Sequence, residues 1–329
     1  MRVALLHNLR PVPVMRDAAD DLFEEYDSPT TIAAIAGALR ALGIDVEPLE
    51  ADRNLPLRLK ARGYDIAFNI AEGFGRRCRE ALTPALCELF YLPYTGSDPL
   101  TLAITLDKAI ARRVVTPELR VAQAALLHSE ADEGSLEKLR YPVLVKPNDE
   151  GSSKGIRQDA VVGSIAEAAW LSRRLREQYG CPVLVEEFLN GVEVTVGIIG
   201  NGPEAEILGV MEISPKAVEQ PFVYSVEVKR DWRKMVDYHV PARLPNETLK
   251  ALSHDALTAY RLLGCRDFAR IDFRLDYGGQ PYFLECNALP GLDPDNSDLV
   301  LLSRHRMSYE SLVQTILFEA CKRTGVEIE

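Results

Sequence analysis

Apolar and polar residues alternate along RIDFRLDYGGQPYFLECN, Arg270 to Asn287, in two runs that flank Asp276-Tyr277-Gly278-Gly279-Gln280. A period of two on both sides of a Gly-Gly pair predicts a β-hairpin. With Gly278-Gly279 as a two-residue loop, Tyr277 pairs with Gln280. Counting outward, Arg274 faces Phe283, Asp272 faces Glu285 and Arg270 faces Asn287. Successive strand residues point to opposite faces, so Arg270, Asp272, Glu285 and Asn287 share one surface. Ile271, Phe273, Leu275, Tyr282, Leu284 and Cys286 form the opposite, core-facing set.

The rest of the pattern reads as strands and helices in alternation. Met1 to Leu6, Ile44 to Leu49 and Tyr64 to Ile70 are short apolar strands. Arg10 to Tyr26, with Pro11 and Pro13 and then an acidic stretch, is a loop. Ser28 and Pro29 start a helix as N-cap and first helical residue, and Ile32, Ile35, Ala36, Leu39 and Leu42 are its apolar stripe. Strand–helix–strand with short links predicts a doubly wound α/β sheet, whose ligands bind beyond the carboxyl ends of the strands. Further helices are expected over Ala81 to Phe90, Leu100 to Val115, Ile165 to Tyr179, Leu249 to Leu263 and Tyr309 to Lys322. Strands are expected at Pro142 to Pro147, Cys181 to Leu189 and Glu193 to Ile199. Pro215 to Asp237 is long and polar, a covering loop.

Length and composition add bounds. A chain of 329 residues holds more than one compact unit. The pattern divides it into an N-terminal α/β unit (1–97), a small central unit (98–187) and a C-terminal unit (188–329). A net charge of −11 argues against nucleic-acid or anionic-membrane partners, and no apolar run reaches spanning length. The six cysteines form no C-x-x-C pair, so a reduced, cytoplasmic setting is expected.

Chemistry concentrates in a few places. Two carboxylates directly opposite on one strand face repel. A divalent cation between Asp272 and Glu285, with the Asn287 carbonyl, turns that repulsion into an all-oxygen site suited to Mg²⁺ shared with nucleotide phosphates; the bland alternative is a solvated face neutralised by Arg270 and Arg274. Glu150-Gly151-Ser152-Ser153-Lys154-Gly155, after the strand that ends at Lys146, is a small-residue loop able to wrap phosphate oxygens. It is not a P-loop, because G-x-x-x-x-G-K-[ST] is absent. Glu186-Glu187-Phe188-Leu189 leaves its strand in a form that suits an adenine pocket, and Glu193 could accept from ribose hydroxyls. Glu72 lies past a strand end in the N-terminal unit.

In order, PYTGS, Asp107-Lys108, VLVKPNDEGSSKGI, VLVEEFLNGVEVTVGI, EVK, ARIDFRLD and LECNALPG resemble the motifs of the ATP-grasp superfamily, and within it the D-alanine–D-alanine ligase group. The resemblance runs from about Tyr64 to the C-terminus. It implies an α/β fold of ATP-grasp type, with a Rossmann-like N-terminal domain and two α+β domains sandwiching ATP. It also implies an ATP-dependent carboxylate–amine ligase that forms a peptide bond through an acyl phosphate. Lys108 and Lys146 resemble the family's phosphate lysines, Lys229 the lysine on the terminal phosphate, and Glu150 to Gly155 the closing loop, with Ser152 at the reacting groups. Glu186, Glu187, Phe188, Leu189 and Glu193 sit where the family holds adenine and ribose. Asp272, Glu285 and Asn287 match ligands of two Mg²⁺ ions, replaceable by Mn²⁺, and Arg270 and the Gly291 N–H match the stabilisers of the tetrahedral intermediate. Partners so implied are small carboxylate and amine substrates, and a second copy in a homodimer.

The departures lie at the amino-acid pockets. Where the ligases have His-Gly, this chain has Glu72-Gly73, with Arg76 or Arg77 as compensating cations. Arg230 replaces a Tyr or His, and the segment holding Asn296 and Ser297 is unusually acidic. A ligase for a different pair, or a nucleotide-binding regulatory protein without turnover, are the alternative readings.

Overall fold

The computed structural model describes residues 1–11, 20–75, 77–217 and 221–328. Pro13 and Arg76 lie outside the described residues.

β1 (Arg2–His7), β2 (Asp45–Glu50) and β3 (Ile66–Asn69) form a parallel sheet in the order β2-β1-β3. Val3 and Leu5 of β1 pack with α1 (Pro29–Arg40), while Ala4 and Leu6 pack with α2 (Leu55–Ala61) and α3 (Leu82–Leu89). Cover on both faces is why these strands read as continuous apolar runs. The Ser28 hydroxyl accepts from the Thr31 N–H at 3.1 Å and caps α1 as the pattern predicts. Its hydrophobic face also meets the C-terminal helix, which closes the chain back onto the first sheet. α2 was not expected; its seven residues carry only two buried side chains, too few to show a period.

Leu100 to Val115 reads as one helix and folds as two, α4 (Pro99–Leu106) and α5 (Lys108–Val115). Asp107 between them is extended. Its carboxylate accepts from the Ile110 N–H at 3.1 Å and from the Asn148 amide at 2.7 Å. A side chain that caps a new helix breaks the old one, and the break fixes Lys108 at the head of α5. Both helices pack into the core of the C-terminal sheet through Leu102, Ala111 and Val115.

β4 (Ala124–Leu127), β5 (Val143–Pro147), β6 (Val161–Val162) and β7 (Val183–Glu187) make a four-stranded antiparallel sheet, order β4-β7-β5-β6, backed by α6 (Ile165–Tyr179). A second antiparallel sheet holds β8 (Glu193–Ile199), β9 (Glu206–Pro215), β10 (Val236–His239), β11 (Phe268–Leu275) and β12 (Pro281–Asn287), in the order β10-β9-β8-β11-β12. The expected covering loop contains α7 (Val226–Arg230) and α8 (Trp232–Met235), then continues into β10. α9 (Asn246–Leu262) packs on one face of this sheet, and α10 (Asp298–Ser303) seats Leu299 and Leu302 over Gly197 on the other. α11 (Tyr309–Thr324) is the closing helix.

The hairpin keeps its expected register at the far end and loses it at the turn. Asp272 pairs with Glu285 and Arg270 with Asn287, but Arg274 pairs with Tyr282 and Phe273 with Phe283. The loop has three residues, closed by the Asp276 N–H donating to the Gln280 carbonyl at 3.0 Å. The Asp276 carboxylate accepts from the Gly278 and Gln280 N–H groups, and Gly279 takes φ +75°, which favours this longer turn over a two-residue one. A β-bulge between Asp272 and Phe273 then leaves Leu284 without an opposite number, and the two departures offset each other. Phe283, not Leu284, therefore enters the core, edge-on to Phe273 with centroids 6.3 Å apart.

Candidate active site

Two cavities open between these sheets. A narrow slot runs between the two antiparallel sheets, and Leu144, Lys146, Ile156, Glu186, Phe188, Leu189, Glu193, Arg274 and the bulged Leu284 line it. A cleft of about 650 Å³ lies between the third sheet and the N-terminal sheet. Both are lined by Tyr224, Lys229, Arg270, Glu285 and Asp298, which mark where they meet.

At that junction the hairpin face carries its charges as the alternation requires. Arg270 donates to both oxygens of Asp272 (3.0 and 2.8 Å) and reaches Asp298 at 2.8 Å. Burial works against the guanidinium charge, but Asp272 and Asp298 keep it firmly protonated. Burial raises the Asp272 carboxyl against the pull of Arg270. It acts on Glu285 too, yet Lys108, Lys146, Arg270 and Lys229 hold that group down at about 2. Lys108 is 3.3 Å from Glu285.

The donor set fits a hard divalent cation. Asp272 and Glu285 are direct cross-strand partners on the cleft face. Asn287 lines the cleft beside them; its amide N–H donates to Asp272 at 3.1 Å, so its carbonyl oxygen is the one atom of the amide able to act as a neutral oxygen donor. Among the described residues no group of three or more His, Cys, Asp or Glu side chains is gathered for a metal, so the donor set here is two carboxylates and an amide.

In the slot, Lys146 is 2.6 Å from Glu186, which also pairs with Arg112; this acid anchors cations inside the central sheet. The Glu187 carboxylate points to Arg140 at 2.8 Å. The N–H groups of Glu187 and Phe188 donate to the carbonyls of Gln123 and Pro142 at 2.9 and 3.0 Å, and Leu189 follows them on the lining of the slot. Lys229 stands over the Tyr224 ring, 5.3 Å from its centroid, at the mouth of the slot.

The small-residue loop crosses the junction from the central sheet. Ser152 and Ser153 both have left-handed φ, 49° and 57°, each costing on the order of 1 kcal/mol of backbone strain. Ser152 lines the cleft, and the Ser153 hydroxyl donates to the Tyr224 carbonyl at 2.8 Å. Glu150 and Lys154 form an ion pair beneath them.

The pattern gave no sign of what holds this loop. Glu25 has a side chain only 5% exposed and lies 2.8 Å from Arg79 and 2.7 Å from Lys154. It also accepts the Gly151 N–H at 2.7 Å. Burial would raise its carboxyl, but the two cations bring it to about 2. Asp21 accepts the Gly155 N–H at 3.0 Å and the Tyr179 hydroxyl. Arg230, a candidate substrate ligand, is held by Asp20 and Glu24 at 2.7 Å each. An acidic stretch before a helix was legible; these partners lie from 54 to 210 residues away and were not.

Glu72, Asn296 and Ser297 all line the cleft, as does Gly291. Ser297 accepts the Asp293 N–H at 2.7 Å, a turn-forming bond. Glu72 makes no hydrogen bond or ion pair with another described side chain, and burial with the nearby Glu80 and Glu25 raises its carboxyl well above the ordinary range. Asp27 and Glu80, also on the cleft, are raised to about 7, chiefly by burial. Arg77 pairs with Asp107 at 3.5 Å, away from Glu72.

Comparison with known proteins gives the family and the fold. The family model "D-ala D-ala ligase C-terminus" matches residues 116–318. A D-alanine–D-alanine ligase of Geotalea uraniireducens is 33% identical over 88% of this chain and 89% of its own length. An uncharacterised protein of Sinorhizobium fredii is 30% identical over 88% of this chain and 87% of its own. The crystal structure of D-alanine–D-alanine ligase from Bacillus anthracis with ATP superposes with a TM-score of 0.77 at 21% identity, covering 99% of both chains. The VanG D-Ala:D-Ser ligase structure from Enterococcus faecalis gives 0.75 at 19%, covering 97% of this chain and 99% of that one. No helix among the described residues is long and apolar enough to cross a membrane. Fold, motif order and relatives converge: this chain is a member of the D-alanine–D-alanine ligase family of ATP-grasp proteins.

Proposed function

We propose that the protein is an ATP- and Mg²⁺-dependent ligase that joins the carboxylate of one small molecule to the amine of another in the cytoplasm. The observation that carries this reading is the meeting of slot and cleft at Lys229, Arg270 and Glu285. A nucleotide in the slot would present its terminal phosphate to a substrate in the cleft, between cations from three elements.

A substrate carboxylate oxygen attacks the γ-phosphorus of ATP, the bond to the β–γ bridging oxygen breaks, and ADP leaves. Lys108, Lys146 and Lys229 offset charge on the transferring group. Asp272, Glu285 and Asn287 would hold Mg²⁺, which when bound screens the phosphate oxygens from the carboxylates around them. The amine then attacks the acyl carbon, Arg270 and the Gly291 N–H stabilise the oxyanion, and the carbon–oxygen bond to phosphate breaks as the nitrogen loses its proton. Glu150 to Gly155, folded over the junction, keeps water from the acyl phosphate.

Isotope transfer tests this chemistry: a substrate carboxylate labelled with ¹⁸O delivers one label to the released phosphate. Unlabelled phosphate accompanying amide formation would rule out the acyl phosphate.

The cleft favours a pair other than two D-alanines. Burial and neighbouring acids raise the Glu72, Glu80 and Asp27 carboxyls, so ionising them is favoured by a cation bound among them and opposed by a further substrate carboxylate. Arg230, one of the cations that the covering segment brings to the cleft, is already paired with Asp20 and Glu24. A substrate carrying an extra amine or guanidinium suits this surface.

A further inference from the structure

Arg274 belongs to none of the groups assigned above, yet it stands inside the nucleotide slot. It is 5% exposed and projects from β11 on the face that carries Arg270 and Asp272. Three elements of the slot meet on its guanidinium. The group lies 4.5 Å from the centroid of the Phe188 ring. One Nη is 3.3 Å from a Glu193 oxygen, and the other donates to the Phe222 carbonyl at 2.6 Å. Its Nε–H is buried with no acceptor.

Such an arrangement is incomplete. A buried charge needs close pairing and full hydrogen bonding to offset its desolvation. The single ion pair here is long. Burial lowers the arginine and raises the glutamate, so neither charge is fully compensated by the other. A hydrophobic residue would pack against Phe188 and Leu284 without that cost. What the guanidinium offers instead is a flat cation for a π-face, a fixed Glu193 and a spare donor.

We infer that Arg274 is the residue that positions the nucleoside: it backs the base slot through Phe188, aims Glu193 at the ribose hydroxyls, and ties the segment at Phe222 to both. The inference rests on the nucleotide-dependent reading above and adds a part to it. It concerns the nucleoside end alone, since Lys146 and Lys229 serve the phosphates.

Arg274→Met and Arg274→Lys test it, with inorganic tripolyphosphate as a probe that keeps the phosphates and lacks the nucleoside. In Arg274→Met the KM for ATP should rise about 10- to 100-fold, the expected loss of a charge-assisted contact, with kcat within about threefold. Binding of tripolyphosphate, followed by calorimetry, should not change. Wild-type enzyme should bind 2′-deoxy-ATP and 3′-deoxy-ATP more weakly than ATP, and the Met variant should lose that discrimination. Arg274→Lys should recover part of the ATP affinity. Unchanged KM for ATP in the Met variant would overturn the inference. So would equal weakening of ATP and tripolyphosphate, which would make Arg274 a general structural support. Wild-type protein that binds neither nucleotide would instead overturn the nucleotide reading itself, and this inference with it.

Discussion

The Glu25 carboxylate occupies the space into which a side chain on residue 151 would project. A Cβ built on Gly151 would overlap Glu25 Oε1, the atom that accepts the Gly151 N–H. Glycine is required here for close approach, not for an unusual φ. Gly151→Ala should push Glu25 out, loosen the loop and raise the KM for ATP, with faster proteolysis within residues 150–157. Glu25→Gln should cost about 3–5 kcal/mol in denaturant unfolding, because Arg79 and Lys154 would keep their charges while losing the buried acid between them. A loss below about 1 kcal/mol would mean that the network contributes no more than a surface pair does.

The cleft acids set a pH dependence. Asp27 and Glu80 have folded values of about 7, above those of the unfolded chain. Each therefore favours the folded state fully below about pH 4, and that contribution is lost as pH rises through 7. Glu25 and Glu285, held at about 2, act only below the ordinary carboxylate range and leave this window untouched. Thermal unfolding should show a fall in stability from pH 5 to pH 8, flattened in Asp27→Asn with Glu80→Gln. A wild-type profile that climbs across the same interval would contradict these assignments.

Substrate choice should follow the same acids. If the bound amine partner carries a second positive charge, Glu72→Gln should raise its KM about tenfold with little change in kcat, the size expected for one charged hydrogen bond. Glu72→His should gain little D-alanine turnover. A large gain there would show that residue 72 alone excludes D-alanine.

At the metal face, Asp272→Asn and Glu285→Gln should each leave less than about 1% of Mg²⁺-dependent turnover while the protein stays folded, because several kcal/mol of phosphate-charge stabilisation depend on those ligands. Circular dichroism checks the fold and phosphate release the activity. Near-normal activity in either would remove the metal assignment.

Local chemistry was legible from sequence where it depended on local spacing. Ser28 and Pro29 began α1 as a cap and first residue, and Asp272 and Glu285 met across the hairpin because strand alternation has a fixed period of two. The turn was misread, since Asp276 hydrogen-bonds stabilise a three-residue loop that composition alone does not distinguish from Gly-Gly. The register survived only because the bulge at Leu284 offset the longer loop, and the same bulge moved Leu284 from the core to the slot between the two antiparallel sheets. Asp107 broke a helix whose apolar period continued through it. Glu25, Arg79 and Lys154 were out of reach for another reason: their meeting depends on the packing of the N-terminal sheet against the central loop, and no spacing in the chain encodes that.

The most direct measurement is phosphate release from ATP and Mg²⁺ across D- and L-amino acids and diamino acids, singly and in pairs. The ligase reading predicts release that requires both a carboxylate and an amine substrate, in step with a new amide product. ATP binding without release for any pair would contradict it and favour a nucleotide-binding regulator.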